Sequence, residues 1–315
     1  IRVAADEVKG RKTLEQAVVA LRTSELPKPI KDVVRIPNGL IVLSMGRGSD
    51  QLSVFDQRRS PKQFRPFVLA DPLGTNPVSM AGGLLIPSHL GQVHLIDART
   101  GKKKAEPFQT RLVADQKVAW RRPAPVDQNS VVLADGIDKV YRLAVKDQPI
   151  PSLAAVAEVT LARPIVSDVA VAGSMVFAVD EDGLLQRLAL NDLVADKPLT
   201  LDGRVTWGPR VAGQNVFLTT ENDQLVCLNS AGEIVWKTPL EHGPLAGPPL
   251  PVANDYLLAY ANGVLVHVEG ASGKELAKLE TGRPLGTGPV LLGENVLLVG
   301  NDGTLYVSEQ PSNSQ

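Results

Sequence analysis

Cysteine is nearly missing from this sequence. Cys227 stands alone, which rules out an intrachain disulfide and any CxxC metal pair. Aromatic residues make up only 4% of the chain, so few rings are available for stacking on sugars or bases. No apolar run approaches the roughly 18 residues that a membrane-spanning helix requires. Neither sign of charge is in excess: 33 Lys and Arg face 34 Asp and Glu, and a net of −1 gives nucleic-acid binding no global electrostatic support. GxSxG, a glycine-rich loop ending in GKS or GKT, and EF-hand spacing are all missing as well. GRGSD (Gly46 to Asp50) leads into a strand rather than a helix, and Asp180, Glu181 and Asp182 ahead of Gly183 read as a hairpin turn in solvent. The four histidines, His89, His94, His242 and His267, are scattered and read as core or surface residues.

What is present is a repeat. An apolar strand, a tight polar turn and a second apolar strand recur seven times at a spacing of about forty residues. The clearest copies are NVFLTTENDQLVCLNSAGEIVW (from Asn215), YLLAYANGVLVHVEGASGKELA (from Tyr256) and NVLLVGNDGTLYVSE (from Asn295); weaker copies start near Leu40, Leu84, Val131 and Val176. In the copy at Asn215, NVFLTT alternates as a half-buried strand, END turns, QLVCLN returns, SAGE turns again and IVW begins a last strand. RVTWGPRVA supplies a strand ahead of it, making four antiparallel strands, A to D. Turn chemistry agrees, with Gly303, Gly183 and Gly263 placed where positive φ is needed. Cys227 lies in the strand LVCLN, as a buried, inert thiol.

This pattern predicts an all-β chain: a single β-propeller of four-stranded antiparallel blades, seven in number, with eight as the alternative. Residues 1–12 read as a flexible or linker-like segment, 13–310 as the propeller and 311–315 as a disordered tail. The last blade lacks a D strand, and AVVALR (Ala17 to Arg22) would close it and remove an open edge. The alternative for TLEQAVVALRTSE is a short helix capped by Thr13. Blade 1 carries a basic insert, QRRSPKQFRPF, and blade 3 a long C–D connection, VKDQPIPSLAAVAEV. A chain that starts at Ile1 rather than Met is expected to be a mature product or an excised piece, with any signal peptide, lipid anchor or partner domain lying upstream.

The segments LGQVHLIDARTGKKKAEPF, NDQLVCLNSAGEIVWKTPL and NGVLVHVEGASGKELAKLETG resemble the repeat of PQQ-type, quinoprotein-like β-propellers. In that pattern Asp97 or Asn229 opens the C–D turn, Gly101, Gly232 and Gly273 take the left-handed position, and a terminal Trp packs between blades. Trp236 keeps that Trp, whereas Ala105 and Ala277 replace it elsewhere. Trp120, Trp207 and Trp236 all fit strand positions. The resemblance implies no quinone enzyme, because those are larger and carry adjacent cysteines and calcium ligands. It points to the non-enzymatic branch, which includes the propeller lipoprotein of the outer-membrane β-barrel assembly machine. It therefore implies no cofactor, no catalytic residue and a periplasmic or otherwise extracytoplasmic location.

Basic residues recur just ahead of the A strands: Lys28, Arg121, Arg122, Arg163, Arg204 and Arg283. They would form a partial basic ring at a channel mouth, suited to an anionic group or an acidic peptide. The structural alternative pairs each Arg with an acidic B–C turn such as Asp180 to Asp182, Glu221 with Asp223, or Asp302. Charge is also uneven. Residues 1–122 hold 21 Lys and Arg against 11 Asp and Glu, and the remainder hold 12 against 23. The basic part includes Arg58, Arg59, Lys62 and Arg65 interleaved with Phe64 and Phe67. Lys28, Arg58, Arg59, Arg65, Arg121, Arg122, Arg163 and Arg283 are thus the candidate partner-binding residues. The function expected is a non-catalytic scaffold, a monomer or a module of a larger chain, that binds a protein or peptide through loops on one face. A channel-centred enzyme and a carbohydrate-binding module are the alternatives.

Overall fold

A computed structural model describes residues 5–8, 11–14, 30–37, 39–45, 51–56, 58, 64–69, 71–113 and 115–309. Among these the chain is all-β. It divides into two compact units, one made of residues 1–22 and 202–315, the other of residues 23–201. The expected strand at 17–22, the GRGSD segment and the C-terminal tail lie outside the described residues, as do residues 15–25 of the helical alternative, whose capping Thr13 and the following Leu14 lie in a strand instead. In the segment that reads as linker-like, β1 (Ala5–Val8) and β2 (Arg11–Leu14) pair as a hairpin.

The unit of residues 23–201 begins with a four-stranded antiparallel sheet of β3 (Ile30–Ile36), β4 (Leu40–Met45), β5 (Gln51–Asp56) and β6 (Phe64–Val68). Next come β7 (Val78–Met80), β8 (Gly83–Pro87), β9 (Gln92–Ile96) and β10 (Lys103–Gln109), then β11 (Ala124–Pro125), β12 (Ser130–Ala134), β13 (Lys139–Lys146) and β14 (Ser152–Thr160). These two groups fuse into one eight-stranded sheet, because β10 and β14 pair in parallel at Glu106 and Ser152. A three-stranded sheet of β15 (Ala170–Ala172), β16 (Met175–Val179) and β17 (Leu185–Ala189) follows. Its fourth position is filled by the isolated bridges Leu185–Leu199 and Leu188–Ala195 rather than by a continuous strand.

The other unit holds β18 (Val205–Ala212), β19 (Asn215–Thr220), β20 (Gln224–Leu228) and β21 (Ile234–Pro239) as one four-stranded sheet. A second consists of β22 (Leu250–Val252), β23 (Asp255–Ala259), β24 (Val264–Val268) and β25 (Glu275–Glu280). A three-stranded sheet of β26 (Val290–Leu292), β27 (Asn295–Val299) and β28 (Leu305–Glu309) ends it. The left-handed glycines sit where the turns need them, with φ near +75° at Gly101, +80° at Gly232 and +72° at Gly273.

Within each unit the core lies between successive sheets. Phe217, Leu225 and Cys227 of one sheet pack with Tyr256, Leu258 and Val266 of the next. Phe217 meets Trp236 and Tyr256 edge-on, at centroid separations of 5.7 and 4.7 Å. Such pairs add about 0.5–1.5 kcal/mol each beyond area burial. The second strands are covered on both sides, so β8 and β12 are buried along their whole length and β19 over all but its first residue. NVFLTT is therefore not a half-buried alternating strand; Val216 to Thr220 are all buried because both faces of the strand are covered. Two further expectations are corrected. Most of VKDQPIPSLAAVAEV is strand, with Lys146 facing Ser152 in the β13–β14 register and only residues 147–151 connecting them. Trp120 lies outside the strands, although its indole nitrogen donates to the Ser88 carbonyl at 2.9 Å.

Candidate functional site

The connections between consecutive sheets carry a Pro-apolar pair: Pro72-Leu73, Pro164-Ile165, Pro244-Leu245 and Pro284-Leu285. Proline has no N–H to offer, so only its carbonyl can bond. Each of these carbonyls accepts from the first residue of the neighbouring B–C turn: His89 N to Pro72 O at 3.1 Å, Glu181 N to Pro164 O at 3.0 Å, Ala261 N to Pro244 O at 2.8 Å and Asn301 N to Pro284 O at 3.0 Å. Arg204 takes the same role for Glu221 at 2.8 Å. The apolar partner then bridges the end of the B strand, as in Ile165–Asp180 and Leu285–Gly300. A main-chain latch thus fixes connection and turn together and displays their side chains from a rigid base. Sequence reading notes the cations here but misses the Pro-Leu/Ile recurrence, which was its visible signal.

The candidate arginines divide on this frame. Arg163 and Arg283 lie on connections, reach the acidic turns beside them and stay more than half exposed. Arg163 Nε is 3.1 Å from Asp182 Oδ2, and Arg283 NH1 is 2.9 Å from Asp302 Oδ2. The hydrogen bonds from Thr304, followed by the Arg283 guanidinium, hold the Asp302 carboxyl below the usual carboxylate range. Arg121 and Arg122 are occupied differently. Arg121 Nε donates to the Ile165 carbonyl at 2.8 Å, and burial lowers its pKa against the opposing pull of Asp168. Arg122 donates its backbone N–H to Asp168 at 3.3 Å and places NH2 3.0 Å from Asp32 Oδ2. These contacts gather Arg121, Arg122 and Arg163 around the 163–168 connection. Arg58 is exposed, with its N–H bonded to Asp56 Oδ1 at 3.0 Å. Lys28, Arg59 and the side chain of Arg65 lie outside what is described.

The other polar groups serve turns. Asp180 is 1% exposed, and its Oδ1 accepts from the N–H groups of Asp182 and Leu184 at 3.0 and 2.9 Å while Gln186 bonds Oδ2. That occupancy fits the hairpin reading of the EDG turn. Asp135 repeats it with Ile137, Asp138 and Lys139, and there burial outweighs the hydrogen bonds and raises the carboxyl pKa. Asp97 caps its turn by accepting from Arg99 and Thr100. Burial opposes ionisation of Asp97, but the bonds from Thr100 and Arg99 prevail and lower its pKa. Three histidines pair with carboxylates, His94 with Asp71, His242 with Glu275 and His267 with Asp255. Among the described residues no group of His, Cys, Asp and Glu is arranged to hold a metal ion.

Residues 191–258 match the model of a PQQ-type repeat family described as outer membrane protein assembly factor BamB. The chain is PQQ-like in its repeat and resembles BamB. Among solved structures, BamB from Moraxella catarrhalis superposes with a TM-score of 0.65 over 92% of this chain and 86% of that one, at 16% identity. Sqt1 from Saccharomyces cerevisiae gives 0.53 over 90% and 97%, at 14% identity. No curated protein sequence matches. The likeness therefore establishes a β-propeller fold. The Trp expected to pack between blades does so: Trp236 of β21 is 6% exposed and donates to the Gly270 carbonyl of the next blade at 2.9 Å. Among the described residues no helix is long and apolar enough to cross a membrane.

Proposed function

We propose that this chain is a non-catalytic scaffold that binds a protein or peptide through its latched connections and B–C turns. The observation that carries this reading is the latch itself, a main-chain frame repeated from blade to blade with charged side chains on it. Arg163 and Arg283 hold exposed ion pairs, and such pairs contribute only about 0–1 kcal/mol. A carboxylate from a partner can therefore replace Asp182 or Asp302 at little cost. An assembly factor as the matched family, and a BamB structure among the neighbours, support the same reading and an extracytoplasmic location. In this reading the blades number seven, and the strand at 17–22 adds to the sheet of β26, β27 and β28. The test is cross-linked capture from native extract by wild type and by Arg163→Glu/Arg283→Glu. A protein held by wild type and lost by the variant supports the proposal. Undiminished capture moves the interface away from these connections, and a stabilising thermal shift with PQQ and calcium would contradict the non-catalytic assignment.

A further inference from the structure

The seam between β21 and the β23–β24 pair contains a cleft of about 200 Å³. Buried Leu258, Val266 and Val268 line it, and exposed Glu241, Lys274 and Glu275 stand at its rim. His242 joins the two blades across it, with Nε2 2.9 Å from Glu275 Oε2 and the ring edge-on to Tyr260 at 5.2 Å. Tyr260 is 4% exposed, and its hydroxyl has no hydrogen-bond partner among the described residues. The hydroxyl of Tyr141, by contrast, bonds Thr110 at 2.6 Å. Tyr260 lines the cleft.

We infer that this cleft is a socket for one arginine side chain of a partner polypeptide, an inference that rests on the scaffold reading above. Its size favours a single side chain, since pockets for drug-sized ligands run from about 300 to 1,000 Å³. The apolar wall suits the aliphatic stem of arginine. The guanidinium only donates, and the cleft offers acceptors: the phenol oxygen of Tyr260 and the carboxylates of Glu241 and Glu275. Two carboxylates against Lys274 leave the rim net acidic. The half-buried ring of His242 offers a surface on which a planar guanidinium, unlike an ammonium, can stack. Burial, with Glu275 and Glu241 adding to it, pushes the Tyr260 hydroxyl up to about 12 and keeps it neutral at physiological pH.

The test is a titration of N-acetyl-arginine amide into isotope-labelled protein, with N-acetyl-leucine amide and N-acetyl-glutamate amide as comparators. Saturable shifts of the amides of Leu240 to Gly243 and Gly273 to Glu275, specific to the arginine probe, are expected. Tyr260→Phe and, at the exposed rim, Glu275→Gln should each weaken them at least about fivefold, with the spectrum elsewhere unchanged. Equal binding of either comparator, or arginine shifts indifferent to both variants, would overturn the socket. The two proposals fail separately. Partner capture that survives Glu275→Gln removes the socket and leaves the scaffold. Arginine binding without capture of any polypeptide removes the scaffold and leaves the socket.

Discussion

Replacing Gly273 with alanine tests how the blades are joined. Gly273 sits at φ +72°, and a Cβ there would lie 2.6 Å from Trp236 Cε3, 2.7 Å from Cδ2 and 3.0 Å from Thr238 Cγ2. The left-handed conformation alone costs an alanine about 1–2 kcal/mol. Forcing a buried ring aside adds about 1–3 kcal/mol, and the indole bond to Gly270 constrains where the ring can go. The total expected is about 2–5 kcal/mol. Gly303→Ala is the control: φ is +82°, no heavy atom lies within 4 Å of the added carbon, and only the conformational cost of about 1–2 kcal/mol applies. Both positions belong to the unit containing residues 202–315, so one unfolding transition reports on both. Urea unfolding followed by far-UV circular dichroism should show Gly273→Ala losing at least about 1 kcal/mol more than Gly303→Ala. Equal losses would refute the claim that the turn glycine is required by the Trp236 ring.

Two further predictions concern charge. Arg122→Ala leaves Asp32, whose side chain is 14% exposed, without its partner, and should cost about 1–3 kcal/mol, whereas Arg163→Ala should cost less than about 1 kcal/mol; urea midpoints of the two variants check the order. Burial pushes Cys227, Tyr141 and Tyr260 up to about 12, so folding favours their neutral forms. Their stabilising effect is complete below the unfolded values of about 8.5 to 10 and is lost as pH rises toward 12, so the urea midpoint should fall between pH 8 and 11 and Cys227 should resist thiol reagents until unfolding.

Much of the architecture was legible because strand composition and turn glycines are local signals. The copies at Asn215, Tyr256 and Asn295 coincide with β19–β20, β23–β24 and β27–β28 to within a residue or so at each start. Pro149 and Pro151, together with the three alanines of β14, which favour strands weakly, made VKDQPIPSLAAVAEV look like a long loop. The fusion of β10 with β14 was invisible, since it depends on two sheet edges meeting at Glu106 and Ser152. Among the candidate residues, the pairing of Arg163 and Arg283 with adjacent acidic turns could be anticipated from the repeat. The contact of Arg122 with Asp32 spans 90 residues and has no local signature. The cleft at Tyr260 was equally hidden, because it forms only where β21 meets the β23–β24 pair.

Hydrogen–deuterium exchange of the chain, alone and with its captured partner, tests the scaffold claim most directly. The account predicts added protection at the connections 163–166 and 283–286 and at the turns 180–183 and 301–303. Protection confined to the opposite turns, at 97–101 and 229–232, or no protection anywhere, would contradict it.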